Sequence, residues 1–215
     1  MGIVISSDLS WSEHIGNLVN KATKTLGWVL SVFADRSAQT MLLLYKCYVR
    51  SKTEYGCPIW HSTKISDIQM LESVQRSFTS KVIGMQNLNY WQRLDKLGIQ
   101  SLQRRRERYI IFFMWKIVNG LVSNELNSQF RYSERRGITA LIRPLVSANS
   151  RVQTLYDNSF AILAAKIWNV LPAEITILTS FSCFKISVDN FLNDIPDHPP
   201  IQGYPYVRNN SLISF

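Results

Sequence analysis

The sequence predicts a mainly α-helical fold, a helical bundle with a short N-terminal strand and a small irregular or β segment before two C-terminal helices. Three observations predict it. Apolar residues recur at helical spacing through most of residues 10–128, as amphipathic helices require. That spacing disappears between residues 129 and 153 and returns afterwards. Hydrophobic residues make up 46% of the 215 residues, so the chain can bury a sizeable core.

The N-terminal residues predict a strand followed by a long helix. Gly2–Ile5 is a short apolar stretch, and Ser10-Trp-Ser-Glu13 matches a capping box, in which the serine and glutamate side chains satisfy free backbone N–H groups. From Ile15 to Phe33, apolar residues recur at helical spacing. A strand without sheet partners exposes an apolar edge, and we expect self-association through it.

Four more helices are predicted in the first 128 residues. Their ranges are Ser37 to Lys52, Ser66 to Val82, Tyr90 to Leu97 and Ser101 to Asn119. Gly98 suits the position after a helix, because glycine adopts the left-handed conformation found there. The last helix starts with a basic run and becomes apolar on all sides from Tyr109 to Trp115, which is typical of a buried helix.

The chain is predicted to divide into four segments. Residues 1–9 form the strand and a turn, and residues 10–128 form a helical domain that carries the basic helix. Residues 129–195 form a C-terminal region, which ends in helices at Ser159–Val170 and Ser180–Leu192. Residues 196–215 are rich in turn-forming residues, and we expect this tail to be poorly ordered.

The formal net charge of +9 favours polyanionic partners, with nucleic acid first and an acidic membrane surface second. Residues 104–151 hold ten lysines and arginines against three acids. The longest apolar run is too short to cross a bilayer, so no membrane-spanning segment is predicted, and the predicted partners do not include a membrane. Three cysteines at unrelated spacings do not form a disulfide framework. These features favour an intracellular location, in the cytoplasm or the nucleus.

No catalytic, metal or cofactor site is predicted. Phe33-Ala-Asp-Arg36 is similar to the metal-binding motif of polymerases that copy RNA, but an arginine stands where the second carboxylate is needed. We therefore interpret it as a helix terminus. Cys57 and His61 lack the second ligand pair of a zinc site and are predicted to be buried. The sequence contains no phosphate-binding loop and no nucleophile motif.

The basic run Arg104-Arg-Arg-Glu-Arg108 is the best candidate for nucleic-acid contact. Arg104, Arg108 and Trp115 fall on one stripe of the helix, which suits phosphate contact combined with base stacking. The alternative is a solvated first turn followed by a core segment. Further arginines extend the candidate set. The predicted nucleic-acid-binding residues are Arg104, Arg105, Arg106, Arg108, Trp115, Arg131, Arg135, Arg136 and Arg143.

Cations at a helix N-terminus interact unfavourably with the helix dipole, so a compensating partner is expected. We predict phosphate for Arg104 and Arg108. Arg105 and Arg106 lie nearer the core and are predicted to pair with acids such as Glu72. On this hypothesis, replacing Arg104 and Arg108 would weaken nucleic-acid binding and leave thermal stability nearly unchanged.

Six stretches occur in a particular order along residues 2–192. They are Gly2-Ile-Val-Ile-Ser-Ser-Asp-Leu-Ser-Trp-Ser-Glu-His-Ile15, Tyr48-Val-Arg-Ser-Lys-Thr-Glu-Tyr-Gly56 with Trp60, Leu71-Glu-Ser-Val-Gln-Arg76, Leu94-Asp-Lys-Leu-Gly-Ile-Gln-Ser-Leu-Gln-Arg-Arg-Arg106, Trp168-Asn-Val-Leu-Pro172 and Ser182-Cys-Phe-Lys185. Together they resemble the reverse transcriptases of non-LTR retrotransposons of the jockey and CR1-like type. The resemblance implies the thumb and post-polymerase region of such an element, which contacts template RNA and the primer duplex. Residues 1–9 would then be the end of the palm.

The same resemblance implies that Met1 is an internal start and that the catalytic palm, with its Mg²⁺ site, is missing. The parent family is an RNA-directed DNA polymerase of a transposable element, but this chain alone is expected to be inactive and to need no cofactor. RNA and DNA are the expected partners. The alternative is a helical protein-interaction module with no nucleic-acid function. A linear loss of affinity with the logarithm of salt concentration distinguishes the first hypothesis from the second.

Overall fold

The computed structural model is mainly helical, which confirms the predicted fold class. It describes residues 2–7, 10–123, 125, 128, 130–135, 138–142, 159–203 and 212. The chain forms two compact units, which are residues 1–105 with 197–209 (unit 1) and residues 106–196 with 210–215 (unit 2). The division lies between Arg105 and Arg106, inside a helix, whereas the sequence predicted a boundary after residue 128.

Unit 1 is built from helices joined by short connections. They are α1 (Ser12–Val32), α2 (Ala38–Leu44), a π-helical segment (Tyr45–Arg50), α3 (Ser51–Glu54), α4 (Ile65–Thr79), α5 (Tyr90–Leu97) and the first residues of α6 (Leu102–Val118). The predicted second helix is therefore a continuous helical stretch whose middle is π-helical. Such segments are rare and often occur at functional sites.

The helix ends agree with the sequence-based prediction at α5 and differ from it at α1. The capping box predicted at Ser10 is wrong, because Trp11 holds the N-cap position and no side chain caps the helix. A capping box is present at α5, where Asn89 and Gln92 bond reciprocally. Gly98 follows α5 with a φ of 60°, as predicted, and this left-handed conformation favours glycine.

The predicted N-terminal strand is wrong, since Gly2–Ser6 has no strand partner among the described residues. The backbone N–H of Val4 instead donates to Nδ1 of His14, 3.2 Å away. The side chain of Ile5 is 66% exposed, so an apolar surface is present there. Self-association through it stays a prediction.

The core of unit 1 forms where α1, the π-helical segment and α4 bury their apolar faces. The Tyr45 ring stacks on Phe78 with 4.4 Å between ring centroids. Its hydroxyl donates to Oε1 of Gln75 at 2.5 Å. Burial, reinforced by the charges of Glu72 and Glu54, raises the pKa of Tyr45 well above its ordinary value, so the hydroxyl keeps the proton that it donates.

The stretch from Asp197 to Gly203 belongs to unit 1 and packs against its helices, so the prediction of a poorly ordered tail is wrong for these residues. The indole N–H of Trp91 donates to the carbonyl of Pro199 at 3.2 Å, and Ile201 is buried with Tyr90. The rest of the predicted tail, apart from Pro196 and Leu212, lies outside the described residues.

Unit 2 contains the rest of α6, strands β1 (Arg131–Arg135) and β2 (Ile138–Ile142), and helices α7 (Phe160–Trp168), α8 (Ala173–Thr176) and α9 (Phe181–Asn193). The two strands pair antiparallel, with Arg131 opposite Ile142. The predicted β segment and the two C-terminal helices are thus confirmed. The short helix α8 between them was not predicted.

The apolar half of α6 lies in the core of unit 2, as its sequence predicted. Trp168 stacks on Phe184 with ring centroids 5.8 Å apart, and Phe112 packs edge-on against Phe181. Within the described part of the chain, no helix is both long enough and apolar enough to cross a membrane.

Candidate nucleic-acid interface

The four arginines of the predicted interface, Arg104, Arg105, Arg106 and Arg108 (the arginine cluster), do not form an exposed surface. Arg104 and Arg106 are each only 1% exposed. Arg105 makes a two-point ion pair with Glu54, and both side chains are mostly buried. The predicted pairing of Arg105 with an acid is thus confirmed, and that acid is Glu54.

Arg108 is also engaged inside its own unit. Its guanidinium makes a two-point ion pair with Asp189 on α9, with 2.8 Å between one terminal nitrogen and Oδ2. The same guanidinium lies over the ring of Phe112, 4.3 Å from the centroid. Arg108 keeps only 17% of its side-chain surface exposed. The prediction that Arg104 and Arg108 form an exposed stripe on the helix is therefore wrong. Their role in nucleic-acid binding stays a prediction.

Carboxylates compensate the N-terminus of α6, where the sequence predicted phosphate. Oε1 of Glu72 accepts from the backbone N–H of Gln103 at 2.7 Å. Asp197 accepts from both the backbone N–H and the hydroxyl of Ser101, at 2.6 and 2.7 Å. Negative groups at a helix N-terminus are stabilising. These two carboxylates therefore offset the unfavourable interaction of the nearby arginines with the helix dipole.

The remaining predicted residues add no exposed side chain to the arginine cluster in the part of the chain that the structure describes. Trp115 is 4% exposed, in the core of unit 2, and its indole N–H donates to the carbonyl of Leu178 at 2.8 Å. It is therefore a core residue and not a stacking platform. Arg131 and Arg135 lie on β1, and their side chains are outside the described part, as are Arg136 and Arg143 altogether.

Exposed positive charge occurs instead on the outer face of α1. The inner face buries Ala22, Leu26 and Val29. Lys21, Lys24 and Trp28 lie on the opposite face and are exposed. Lysine readily adopts this arrangement because its apolar stem covers the helix while its ammonium group stays in water.

Lys21 and Lys24 line a groove of about 260 Å³ together with Lys52 of α3 (these three lysines define the lysine groove). The groove is also lined by Asn17, Thr25 and Tyr55, and its lining contains no aspartate or glutamate. Three lysines and three neutral side chains that can hydrogen-bond, around one concavity, are suited to an anionic ligand.

One of these lysines, Lys21, acts on His14, which also lines the groove. Burial, and then the positive charge of Lys21, lower the pKa of His14 below its ordinary value of 6.5. The imidazole accepts a hydrogen bond from Val4 through Nδ1, so its neutral form fits the fold. At neutral pH the lysines, and not this histidine, supply the positive charge of the groove.

An aromatic pair continues the same surface. Trp28 of α1 contacts Tyr48 of the π-helical segment edge to face, with 5.6 Å between centroids and 68° between planes. Trp28 is 48% exposed and Tyr48 is 43% exposed. Aromatic rings beside lysines are typical of surfaces that bind nucleic acid.

Sequence reasoning missed this surface because it combines residues from two helices. One local signal was present, since an exposed tryptophan follows Lys21 and Lys24 on the polar face of α1 at offsets of seven and four. A second was the spacing of Tyr48, Lys52 and Tyr55 at positions i, i+4 and i+7. Neither signal shows that the two faces adjoin, which requires the packing of α1 against α3.

The other motifs have structural roles. Phe33–Arg36 follows α1 directly, as predicted for a helix terminus. The Arg36 guanidinium donates to the carbonyls of Phe33 and Leu30. Hydrogen bonds from Thr40 and Ser37 lower the pKa of Asp35, so this carboxylate stabilises the start of α2.

Cys57 and His61 are both buried, as predicted. Across the described ranges, no group of three or more histidine, cysteine, aspartate or glutamate side chains is placed to hold a metal ion.

The sequence matches no protein-family model, and no solved structure matches it. It is similar to the uncharacterized protein B0403.1 of Caenorhabditis elegans, with 24% identity over 123 residues. The aligned region is 56% of this chain and 62% of that protein. The chain therefore spans about three fifths of the length of the curated relative it matches.

Proposed function

We propose that this chain binds nucleic acid through the lysine groove of unit 1, in the role that its resemblance to the thumb region of non-LTR retrotransposon reverse transcriptases implies. One observation carries the proposal. Lys21, Lys24 and Lys52 converge on one groove whose lining contains no acid. Phosphate groups are the anions that such a lysine surface attracts.

The internal use of the arginine cluster supports this choice of surface. Arg105 and Arg108 are neutralised by Glu54 and Asp189, so the cluster adds little to the field outside the protein. The chain nevertheless carries a formal net charge of +9. Exposed lysines, and not these arginines, are therefore available to bind a polyanion.

Salt-dependent binding tests the proposal. Purified chain is titrated against a fluorescently labelled RNA template with an annealed DNA primer, at salt concentrations from about 50 to 200 mM. Three phosphate contacts predict a slope of about −2 in a plot of log K against log salt, since each single-strand contact contributes about −0.7. Negligible affinity at the lowest salt would favour the alternative, a helical protein-interaction module with no nucleic-acid function.

A further inference from the structure

We infer that the lysine groove and the Trp28–Tyr48 pair together form a binding site for single-stranded nucleic acid, an inference that rests on the proposed function. The lysines hold the sugar–phosphate backbone, and the aromatic pair stacks on an unpaired base. The site is contained in α1, the π-helical segment and α3, all of unit 1.

The packing of these helices places the two components in line. Trp28, near the end of α1, contacts Tyr48 in the π-helical segment. Earlier residues of α1, such as Lys21, line the groove with Lys52 and Tyr55 of the later helical stretch. The two helical stretches therefore run in opposite directions, with the aromatic pair at one end of the surface and the lysines along the rest.

Each helical stretch repeats the same combination of an aromatic ring and a lysine. Lys24 precedes Trp28 by four residues, and Lys52 follows Tyr48 by four residues. Four residues correspond to roughly 6 Å along a helix, about one turn. Each exposed ring therefore has a lysine about one turn away along its helix, a spacing suited to contact with a base and a neighbouring phosphate.

The aromatic pair is a distinctive feature of this surface. Single exposed apolar side chains are common and carry no inference. Here two large rings in contact both keep over 40% of their surface exposed, and they lie on the same two helical stretches that carry the three groove lysines. Trp28 meets both Tyr48 and Phe33 edge to face and is stacked on neither ring, and tryptophan offers the largest stacking face among side chains.

Unpaired bases distinguish a single strand from a duplex at this site. In a duplex both faces of each base are covered by stacking, so an aromatic side chain cannot reach them without unstacking the helix. In a single strand the faces are accessible, and stacking adds to phosphate contact without regard to base identity. The lysines attract both forms, but the aromatic pair stabilises only the single strand.

The test compares three labelled probes of one sequence: a single-stranded RNA dodecamer, the same sequence as single-stranded DNA, and the blunt RNA–DNA duplex. We expect both single strands to bind more tightly than the duplex. Trp28→Leu is expected to weaken single-strand binding about tenfold, the loss typical of one stacked base, and to leave duplex binding unchanged. Comparison of the RNA and DNA probes shows which of the two the site prefers.

Controls separate stacking from folding. Ile83→Ala removes another exposed apolar side chain of unit 1, 65% exposed and outside the groove lining, and should leave binding unchanged. Trp28→Phe keeps an aromatic face and should recover most of the affinity lost in Trp28→Leu. If Trp28→Leu does not fold, Tyr48→Leu is measured with the same probes.

The possible outcomes are distinguishable. Tight duplex binding that matches the single strands, together with unchanged single-strand binding by Trp28→Leu, would overturn the single-strand inference and leave the proposed nucleic-acid binding intact. Failure of all three probes to bind at low salt would overturn both. Weaker single-strand binding by Trp28→Leu, with recovery in Trp28→Phe, would support the inference.

Discussion

The arginine cluster and the lysine groove are both basic, but the protein uses their charges in opposite ways. The cluster places four cations within five residues, yet its side chains are buried or paired with carboxylates. The groove combines Lys21 and Lys24 of α1 with Lys52 of α3, and its lining contains no acid. A high density of charge along the sequence therefore does not identify the charged surface of the folded protein.

The chemistry of the two side chains explains this difference. The planar guanidinium group of arginine matches a carboxylate in a two-point bond and stacks on aromatic rings, and it is less strongly hydrated than an ammonium group. Arg108 does both, with Asp189 and Phe112. Lysine keeps its strongly hydrated ammonium group in water, as Lys21 and Lys24 do.

The largest predicted effect concerns the arginine cluster and its ion pair with Glu54. Glu54→Ala removes the carboxylate that binds Arg105 and also lies 3.7 Å from the guanidinium of Arg50. We expect the free energy of unfolding to fall by about 3 kcal/mol, because a largely buried guanidinium loses its partner. Urea denaturation followed by circular dichroism measures it. Asp95→Ala, at an exposed carboxylate of α5, is the matched control and should change stability by less than about 0.5 kcal/mol.

A smaller effect is predicted for Arg108→Gln. Asp189 is 37% exposed, and solvent screens the ion pair, so we expect a loss of only about 1 kcal/mol including the contact with Phe112. Nucleic-acid affinity and its salt slope should stay unchanged, which is the opposite of what the sequence predicted for this residue. If Arg108→Gln kept full stability and flattened the slope of log K against log salt, Arg108 would belong to the nucleic-acid surface, and its structural role would be contradicted.

The smallest predicted effect is a pH dependence from His14. Its folded-state pKa is lowered by burial and by Lys21, so the unfolded chain binds more protons than the folded chain at mildly acidic pH. The contribution to stability is therefore fully present above the unfolded value of 6.5, and it is lost as the pH falls through the folded-state pKa. In urea denaturation at a series of pH values, His14→Gln should show a weaker dependence of the free energy of unfolding on pH below 6.5. Identical profiles for the two proteins would contradict this role of His14.

Features set by local sequence were predictable. The helical periodicity located α1, α4, α5 and α6 to within a few residues, and Gly98 correctly marked the end of α5. The capping box at Ser10 was misleading, because Ser10 does not hold the N-cap position of α1. The π-helical segment was not predictable, since its residues have ordinary helical spacing.

Features that depend on distant partners were not predictable from one sequence. Arg105 and Glu54 are 51 residues apart, and Arg108 and Asp189 are 81 residues apart, so no local pattern showed that the arginines are neutralised. Lys52 likewise joins Lys21 and Lys24 only through the packing of α3 beside α1. The helices themselves were thus open to prediction, whereas the exposure of their charges was decided by packing.

The most direct test of the central claim measures the salt dependence of binding for two variants with the same change in net charge. One is Lys21→Gln/Lys24→Gln/Lys52→Gln, in the groove. The other is Lys64→Gln/Lys81→Gln/Lys96→Gln, at exposed lysines of unit 1 outside the groove lining. We predict that the groove variant flattens the slope of log K against log salt by about 2, three contacts at about 0.7 each, while the control variant leaves it nearly unchanged. Equal flattening in both variants, or a parental slope and affinity in the groove variant, would contradict the claim that the lysine groove is the nucleic-acid surface.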